Sequence, residues 1–242
     1  EILEKNGLQI TYEPEITPEQ ILEKIENFEV IIVRSRTKIT KDMIEKANKC
    51  QIIARVGVGL DNIDQAAAKE KNIRVINAVE GAMNAVAELV IGLMLSLARE
   101  IPRADREVRN GNWIKKELMG TELRGKYLGI VGLGNIGKRL GRLARALNMN
   151  IIGYDVVPID EEFSSEVGLM KADLGTLLAS SDYVSLHVPL LDSTKHLINA
   201  EKMSTMKNTS RIINTSRGGV IDEDALYEFL KDGKLGGAAL DV

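Results

Sequence analysis

Short runs of β-branched and other apolar residues alternate along this chain with stretches whose apolar positions recur at helical spacing. The runs fall at residues 8–12, Val30–Val33, Ile52–Arg55 and 74–76, with helical periodicity between them. Strand and helix in strict alternation predict a parallel α/β unit, which we place at residues 1–78. Thr17-Pro18-Glu19-Gln20 reads as a capping box with proline at the first helical position, and Thr40 and Asn62 read as further N-caps. Residues 84–99 then predict a helix apolar on nearly every side, through Val86, Leu89, Val90, Leu93, Met94, Leu95 and Leu97. Such a helix must be buried, either between two domains or against a second subunit, and Gly92 would let another helix approach closely. We expect it to dimerise the protein. Its most apolar run, 86–98, is shorter than the roughly 20 residues of a membrane span. Residues 100–125 turn polar and irregular, with Gly111, Gly120 and Gly125, and lead into a second unit.

The second unit, 79–242, opens its strand-helix series with a buried strand, Tyr127–Val131, followed at once by Gly132-Leu133-Gly134-Asn135-Ile136-Gly137 and a helix to about residue 148. This is G-x-G-x-x-G in the context it requires. Its glycines permit a tight turn, close approach of a pyrophosphate and close helix–strand packing, and the helix N-terminus offers unpaired N–H groups to phosphate oxygens. The next strand, Asn150–Tyr154, ends at Asp155, eighteen positions after Gly137, where a carboxylate can accept from both ribose hydroxyls. A carboxylate there repels a 2′-phosphate and no arginine follows in Val156-Val157-Pro158, so NAD is expected over NADP, with Arg139 and Arg142 as the side chains that could still reach a phosphate. Strands at Tyr183–Leu186, 211–215 and 238–242 end in His187-Val188-Pro189, in Thr215-Ser216-Arg217-Gly218-Gly219 and in Asp241. Arg217, between a buried strand and two glycines, suits a bidentate grip on a substrate carboxylate; a structural ion pair is the alternative.

Composition narrows the partners. The formal charge of −3 arises from interspersed acids and bases, which predicts no nucleic-acid or membrane footprint. Cys50 is the single cysteine and reads as a buried thiol at a strand start, so no disulfide framework or cysteine-rich metal site is expected. Nucleophile-elbow, zinc-helix and P-loop motifs are all missing from the sequence. The chain starts at Glu1 within what reads as a short amphipathic helix and stops after an apolar run; we expect both ends to be cut.

These residues resemble the D-isomer-specific 2-hydroxyacid dehydrogenases over almost the whole chain. The carriers are Arg34-Ser35-Arg36-Thr37, the segment Arg55-Val56-Gly57-Val58-Gly59-Leu60-Asp61-Asn62, Met119-Gly120-Thr121-Glu122-Leu123, the glycine fingerprint, His187-Val188-Pro189-Leu190, Asn214-Thr215-Ser216-Arg217-Gly218-Gly219 and Ala238-Ala239-Leu240-Asp241-Val242. The resemblance implies an α/β protein of two domains: a flavodoxin-like substrate domain, incomplete in 1–78, and a doubly wound Rossmann domain that binds NAD, with substrate in the cleft between them. It places Asn135 and Ile136 on the pyrophosphate, Asp155 on the ribose, Val188 on the adenosine side, and Thr215, Ser216 and Asp241 on the nicotinamide half. Arg217 becomes the catalytic arginine. Backbone N–H groups around Val56 and Gly57 would bind the substrate carboxylate, and Arg34, Arg36 and Lys115 or Lys116 of a neighbouring subunit would meet a phosphate. The family's proton-exchanging histidine and its partner glutamate are expected to follow Val242. His187 matches a cofactor-side position instead, and His196 reads as structural.

The implied reaction is oxidation of 3-phospho-D-glycerate to 3-phosphooxypyruvate in serine biosynthesis, by a cytoplasmic homodimer or homotetramer without a metal. Sister enzymes acting on glyoxylate, hydroxypyruvate or D-lactate share these motifs, and an NAD-responsive binding protein or co-repressor is the reading from a different class.

Overall fold

The computed structural model describes residues 2–242, apart from the side chains of Val79 and Glu80; Glu1 lies outside the described residues. The chain divides into two compact units, Glu1–Glu80 and Gly81–Val242.

The first unit runs α1 (Ile2–Lys5), α2 (Pro18–Lys24), a 3-10 turn (Ile25–Asn27), β1 (Val30–Val33), α3 (Lys41–Lys46), β2 (Ile52–Arg55), α4 (Gln65–Glu70) and β3 (Arg74–Asn77). Its strands form a parallel sheet in the order β1-β2-β3. The row Ile31, Ile53 and Val75 faces a core built with Ile21, Ile25, Met43, Ile44 and Ala68. Cys50 joins that core just before β2, and burial pushes its thiol pKa up. The capping box forms as its spacing predicts: the Gln20 N–H donates to Thr17 Oγ1 (3.3 Å) and the Thr17 N–H to Gln20 Oε1 (3.0 Å).

Two expectations change here, those for residues 8–12 and Asn62, while Thr40 takes its N-cap position on α3 without a side-chain bond. Residues 8–12 alternate in hydropathy but form no strand, and Leu8, Ile10 and Tyr12 are exposed. Alternation is only the side-chain half of a strand, and its backbone also needs a hydrogen-bonding neighbour; β1, an edge of this sheet, pairs only with β2. Asn62 is not a cap: Asp64 caps α4 by accepting from the Ala67 N–H (2.9 Å), while Asn62 Nδ2 donates to the carbonyls of Arg34 (3.0 Å) and Thr37 (2.6 Å).

The second unit continues through α5 (Val79–Arg99), α6 (Ile101–Arg109), β4 (Tyr127–Val131), α7 (Asn135–Ala146), β5 (Asn150–Tyr154), α8 (Glu161–Val167), β6 (Met170–Lys171), α9 (Leu174–Ser180), β7 (Tyr183–Leu186), α10 (Ala200–Ser204), β8 (Arg211–Asn214), α11 (Glu223–Lys231) and β9 (Gly237–Leu240). The parallel sheet has the order β6-β5-β4-β7-β8-β9, a doubly wound Rossmann arrangement. Alternate residues point to two separate cores. Leu128, Ile130, Ile151 and Ile213 meet α5, α7 and α8 on one face, while Val131, Ile152, Val184 and Ile212 meet α9, α10 and α11 on the other. Both faces are thereby closed, as a parallel sheet requires.

Helix α5 starts five residues before the expected 84, and its stretch Gly81–Arg99 has the length and composition of a membrane span, contrary to the estimate from 86–98 alone. A stripe of Ala87, Val90, Met94 and Ala98 is buried in the core, which is what a core helix does. On its other side Leu89 and Leu95 stay 40% and 39% exposed in the single chain. The stretch expected to be irregular from residue 100 holds a helix, α6, with no buried residue. Ile101, Ala104 and Val108 recur at helical spacing on it but stay on the surface, with Ile101 and Val108 exposed, among charge pairs such as Arg109–Asp105 (2.8 Å) and Arg103–Glu100 (3.0 Å).

Candidate functional site

The two halves of the second sheet diverge between β4 and β7, and there the Gly132 turn meets the backbone of His187. Gly132 has φ +93°, and a Cβ on it would lie 2.6 Å from the His187 carbonyl oxygen, so only glycine fits. A Cβ on Gly137 would lie 2.1 Å from the Gly132 carbonyl oxygen, which measures how closely α7 packs on the turn. Gly134 differs: a Cβ there would meet nothing within 4 Å. It is also the N-cap of α7 and provides no side-chain cap, so the first amides of that helix face an open cradle. Thr215, at the end of β8, has a buried Oγ1 without a hydrogen-bond partner. An open helix start beside a bare glycine, with an orphaned hydroxyl after β8, two strands along the sheet from β4, fits a dinucleotide laid across the carboxyl ends of the strands.

Asp155, after β5, does more than the spacing suggested. Its Oδ2 accepts from the Leu133 N–H (2.6 Å) and its Oδ1 from the Val157 N–H (3.1 Å), which ties the glycine turn to β5 and fixes the carboxylate's orientation. Each oxygen keeps acceptor capacity for a hydroxyl. Of the two arginines that could have reached a phosphate, Arg142 pairs with Glu166 (2.7 Å).

His187 follows β7. Burial pushes its pKa down to about 4, so the ring is neutral at ordinary pH, and Nε2 shares a hydrogen bond with the Ser185 hydroxyl (2.9 Å). Val188, next along, is half-buried against the core of α9 to α11. His196 lies further along, in the left-handed region at φ +49°, with its N–H on the Gly219 carbonyl (2.8 Å).

Thr215, Ser216 and Arg217 form the loop after β8, and the N–H of Asp241, after β9, donates to the Asn214 carbonyl (3.0 Å). Arg217 Nη1 donates to the Ser216 carbonyl (2.6 Å). Asn214, a residue given no role from the sequence, is buried at 1% exposure, and its side chain bonds into this loop. Its signal lay in the Asn-Thr-Ser-Arg-Gly-Gly string, where an asparagine ending an apolar strand must be satisfied locally.

In the first unit, Arg34 and Arg36 follow β1, and Val56 and Gly57 follow β2, so all four stand at carboxyl ends of adjacent strands. Asn62 pins the first loop from beside the second. The Val56 N–H donates to the Val33 carbonyl (2.9 Å) and the Gly57 N–H to the Arg55 carbonyl (3.0 Å). Both amides expected to meet a carboxylate are therefore engaged within the unit, because the chain turns back sharply at Gly57. Arg36 is engaged too, with the Glu15 carboxylate and the Pro14 carbonyl. Among the described residues no cluster of His, Cys, Asp and Glu could hold a metal ion.

Residues 91–242 match the family described as D-isomer specific 2-hydroxyacid dehydrogenase, NAD binding domain. The chain belongs to the D-isomer-specific 2-hydroxyacid dehydrogenase family. Its second unit is thus the NAD-binding domain of a 2-hydroxyacid dehydrogenase, which gives the glycine turn its ligand class. The chain is 48% identical over 242 residues to a D-3-phosphoglycerate dehydrogenase of Methanocaldococcus jannaschii, and covers 46% of that relative's length. It is 46% identical over 241 residues to a hydroxypyruvate reductase of Thermotoga maritima, and covers 77% of it. Among solved structures, the D-lactate dehydrogenase of Aquifex aeolicus in complex with NAD and lactic acid superposes with a TM-score of 0.84 at 35% identity, over 91% of this chain and 66% of that one. The chain therefore spans about half the length of several curated 2-hydroxyacid dehydrogenases it matches.

Proposed function

We propose that the protein oxidises 3-phospho-D-glycerate to 3-phosphooxypyruvate with NAD, a reaction that feeds serine biosynthesis in the cytoplasm. The observation that carries this reading is the 48% identity, across all 242 residues, with a protein bearing the D-3-phosphoglycerate dehydrogenase name. When bound, NAD supplies the acceptor for the hydride that leaves C2 of the substrate. Gly132, Gly134, Asn135 and Ile136 would face its pyrophosphate, Asp155 a ribose, Val188 the adenosine side, and Thr215, Ser216 and Asp241 the nicotinamide half. Arg217 holds the substrate carboxylate and stabilises charge on the carbonyl that forms at C2. Arg34, exposed after β1, is the better placed of the two arginines for the phosphate, since Arg36 is already engaged. The hydroxyl proton goes to a base other than His187, whose pKa near 4 makes it too weak an acceptor.

Reduction of hydroxypyruvate is the second reading, favoured by the 46% identity to a reductase of which this chain covers 77%. Assaying the full protein on 3-phosphoglycerate, hydroxypyruvate, glyoxylate and D-lactate separates the two, and preference for a non-phosphorylated acid would sink the first. The cofactor is tested by titration with NADH and NADPH, following nicotinamide fluorescence. Saturable NADH binding that weakens in Asp155→Ala is expected; equal affinity for NADPH would overturn NAD preference. We also propose that a second copy of this chain covers the exposed side of α5, giving a homodimer or homotetramer. Sedimentation of Leu89→Glu and Leu95→Glu variants tests this, with a shift towards monomer expected.

A further inference from the structure

We propose that Asn214 is a positioning residue for Arg217: its carboxamide sets the loop after β8 so that the guanidinium meets a substrate carboxylate. The inference rests on the 2-hydroxy-acid reading above.

Asn214 ends β8, and its side chain bonds forward only. Oδ1 accepts from the Ser216 N–H (3.0 Å) and from the Ser216 hydroxyl (2.8 Å), while Nδ2 donates to the Arg217 carbonyl (2.9 Å). Three of the four hydrogen bonds a carboxamide can make thus go to two consecutive loop residues. Its own carbonyl accepts from the Asp241 N–H, which anchors the residue to the end of β9. The guanidinium in turn rests on the Ser216 carbonyl through Nη1. Fixing Ser216 therefore fixes both the backbone from which Arg217 projects and one acceptor that orients its side chain.

Beyond Arg217 the loop is next held through its backbone, where the His196 N–H donates to the Gly219 carbonyl (2.8 Å). Arg217 is followed by Gly218 and Gly219, the latter at φ +75°, and glycines add no side-chain restraint to a loop. Only an asparagine meets the geometry. A carboxylate cannot donate to the Arg217 carbonyl, a serine hydroxyl can accept from the amide two positions on but has no second arm to donate to that carbonyl, and glutamine is one methylene too long for the turn in which Oδ1 meets the amide two positions later. A buried carboxamide engaged through three such bonds favours one arrangement of its neighbours.

A strand cap with no other role would show the same bonds, so the test must read Arg217. Oxalate, which resembles a 2-oxo acid, is titrated into the full protein saturated with NADH, with nicotinamide fluorescence as the signal. The chains compared are wild type, Asn214→Ala, Asn214→Asp, Arg217→Ala and the Asn214→Ala/Arg217→Ala double variant. Losing the positioning should weaken oxalate about tenfold in Asn214→Ala, with no further loss when the same change is made on Arg217→Ala. Asn214→Asp can keep the two bonds accepted at Oδ1 but loses the donated bond and sets a carboxylate oxygen against the Arg217 carbonyl; it should weaken oxalate as well, and it carries the test if the alanine variant does not fold. Amide exchange at Ser216 should accelerate in Asn214→Ala while exchange within β8 stays slow. Full additivity in the double variant, or unchanged oxalate affinity in both single Asn214 variants, overturns the inference alone. A wild-type NADH complex that binds no oxalate overturns the reading of the site itself.

Discussion

Both sheets are parallel, yet they are covered differently. In the second unit, consecutive residues of β4 such as Ile130 and Val131 enter separate cores on opposite faces. In the first unit the row Ile31, Ile53 and Val75 is covered by α2, α3 and α4, while Ile32, in the neighbouring row with Ala54 and Ile76, remains 51% exposed. Two strand runs without a charged residue, Val30–Val33 and Tyr127–Val131, thus end in different environments. Parallel strands read as continuous apolar runs because both faces are meant for burial. The first unit therefore carries a sheet face whose residues are chosen for contact that its own helices do not supply.

The largest effect is expected at the tightest contact of the second unit. Gly137→Ala places a Cβ 2.1 Å from a backbone oxygen, and we expect a loss of about 3 kcal/mol or more in urea unfolding together with loss of NADH binding. A variant of wild-type stability would mean that α7 does not lie against the Gly132 turn. Next, Ile130→Ala should cost about 3 kcal/mol and Ile32→Ala under about 1 kcal/mol. Equal losses at the two sites would erase the difference between the sheets.

Double cover also buries polar groups, and these give the smaller effects. His187 titrates near 4 in the folded protein against 6.5 in the unfolded chain, so the unfolded state binds the extra proton between those values. Stability from this group is complete above pH 6.5 and is withdrawn as pH falls to 4, by about 3 kcal/mol at the acid end. Comparing wild type with His187→Gln across that window isolates it from the carboxylates, and parallel curves would argue against the assignment. Tyr183, fully buried at the start of β7, has a hydroxyl without a hydrogen-bond partner. Tyr183→Phe should be neutral or stabilising by up to about 1 kcal/mol; clear destabilisation would reveal a bond to that hydroxyl.

Local chemistry was legible in advance wherever one segment decides its own structure. The strands Val30–Val33, Ile52–Arg55, Tyr127–Val131, Asn150–Tyr154 and Tyr183–Leu186 stand where their apolar runs put them. The capping box at Thr17 and the glycine turn are of the same kind, since a left-handed φ or an N3 amide is answered within a few residues. Residues 8–12 show the limit: their pattern specifies two faces, but a strand also needs an edge to join. Helix α6 shows the reverse: a short stripe of Ile101, Ala104 and Val108 at helical spacing, set among charged residues, forms a helix that buries nothing.

The sequence by itself determined the parallel α/β class, the dinucleotide turn and the family, because these depend on spacing within short segments. Tertiary structure alone decided which apolar rows are covered. It alone also decided that the Val56 and Gly57 amides are engaged, that Asp155 braces the Leu133 amide, and that Asn214 holds the Arg217 loop. Those outcomes depend on which groups from distant segments arrive within hydrogen-bond reach, and a buried donor or acceptor takes the partner that the fold brings to it.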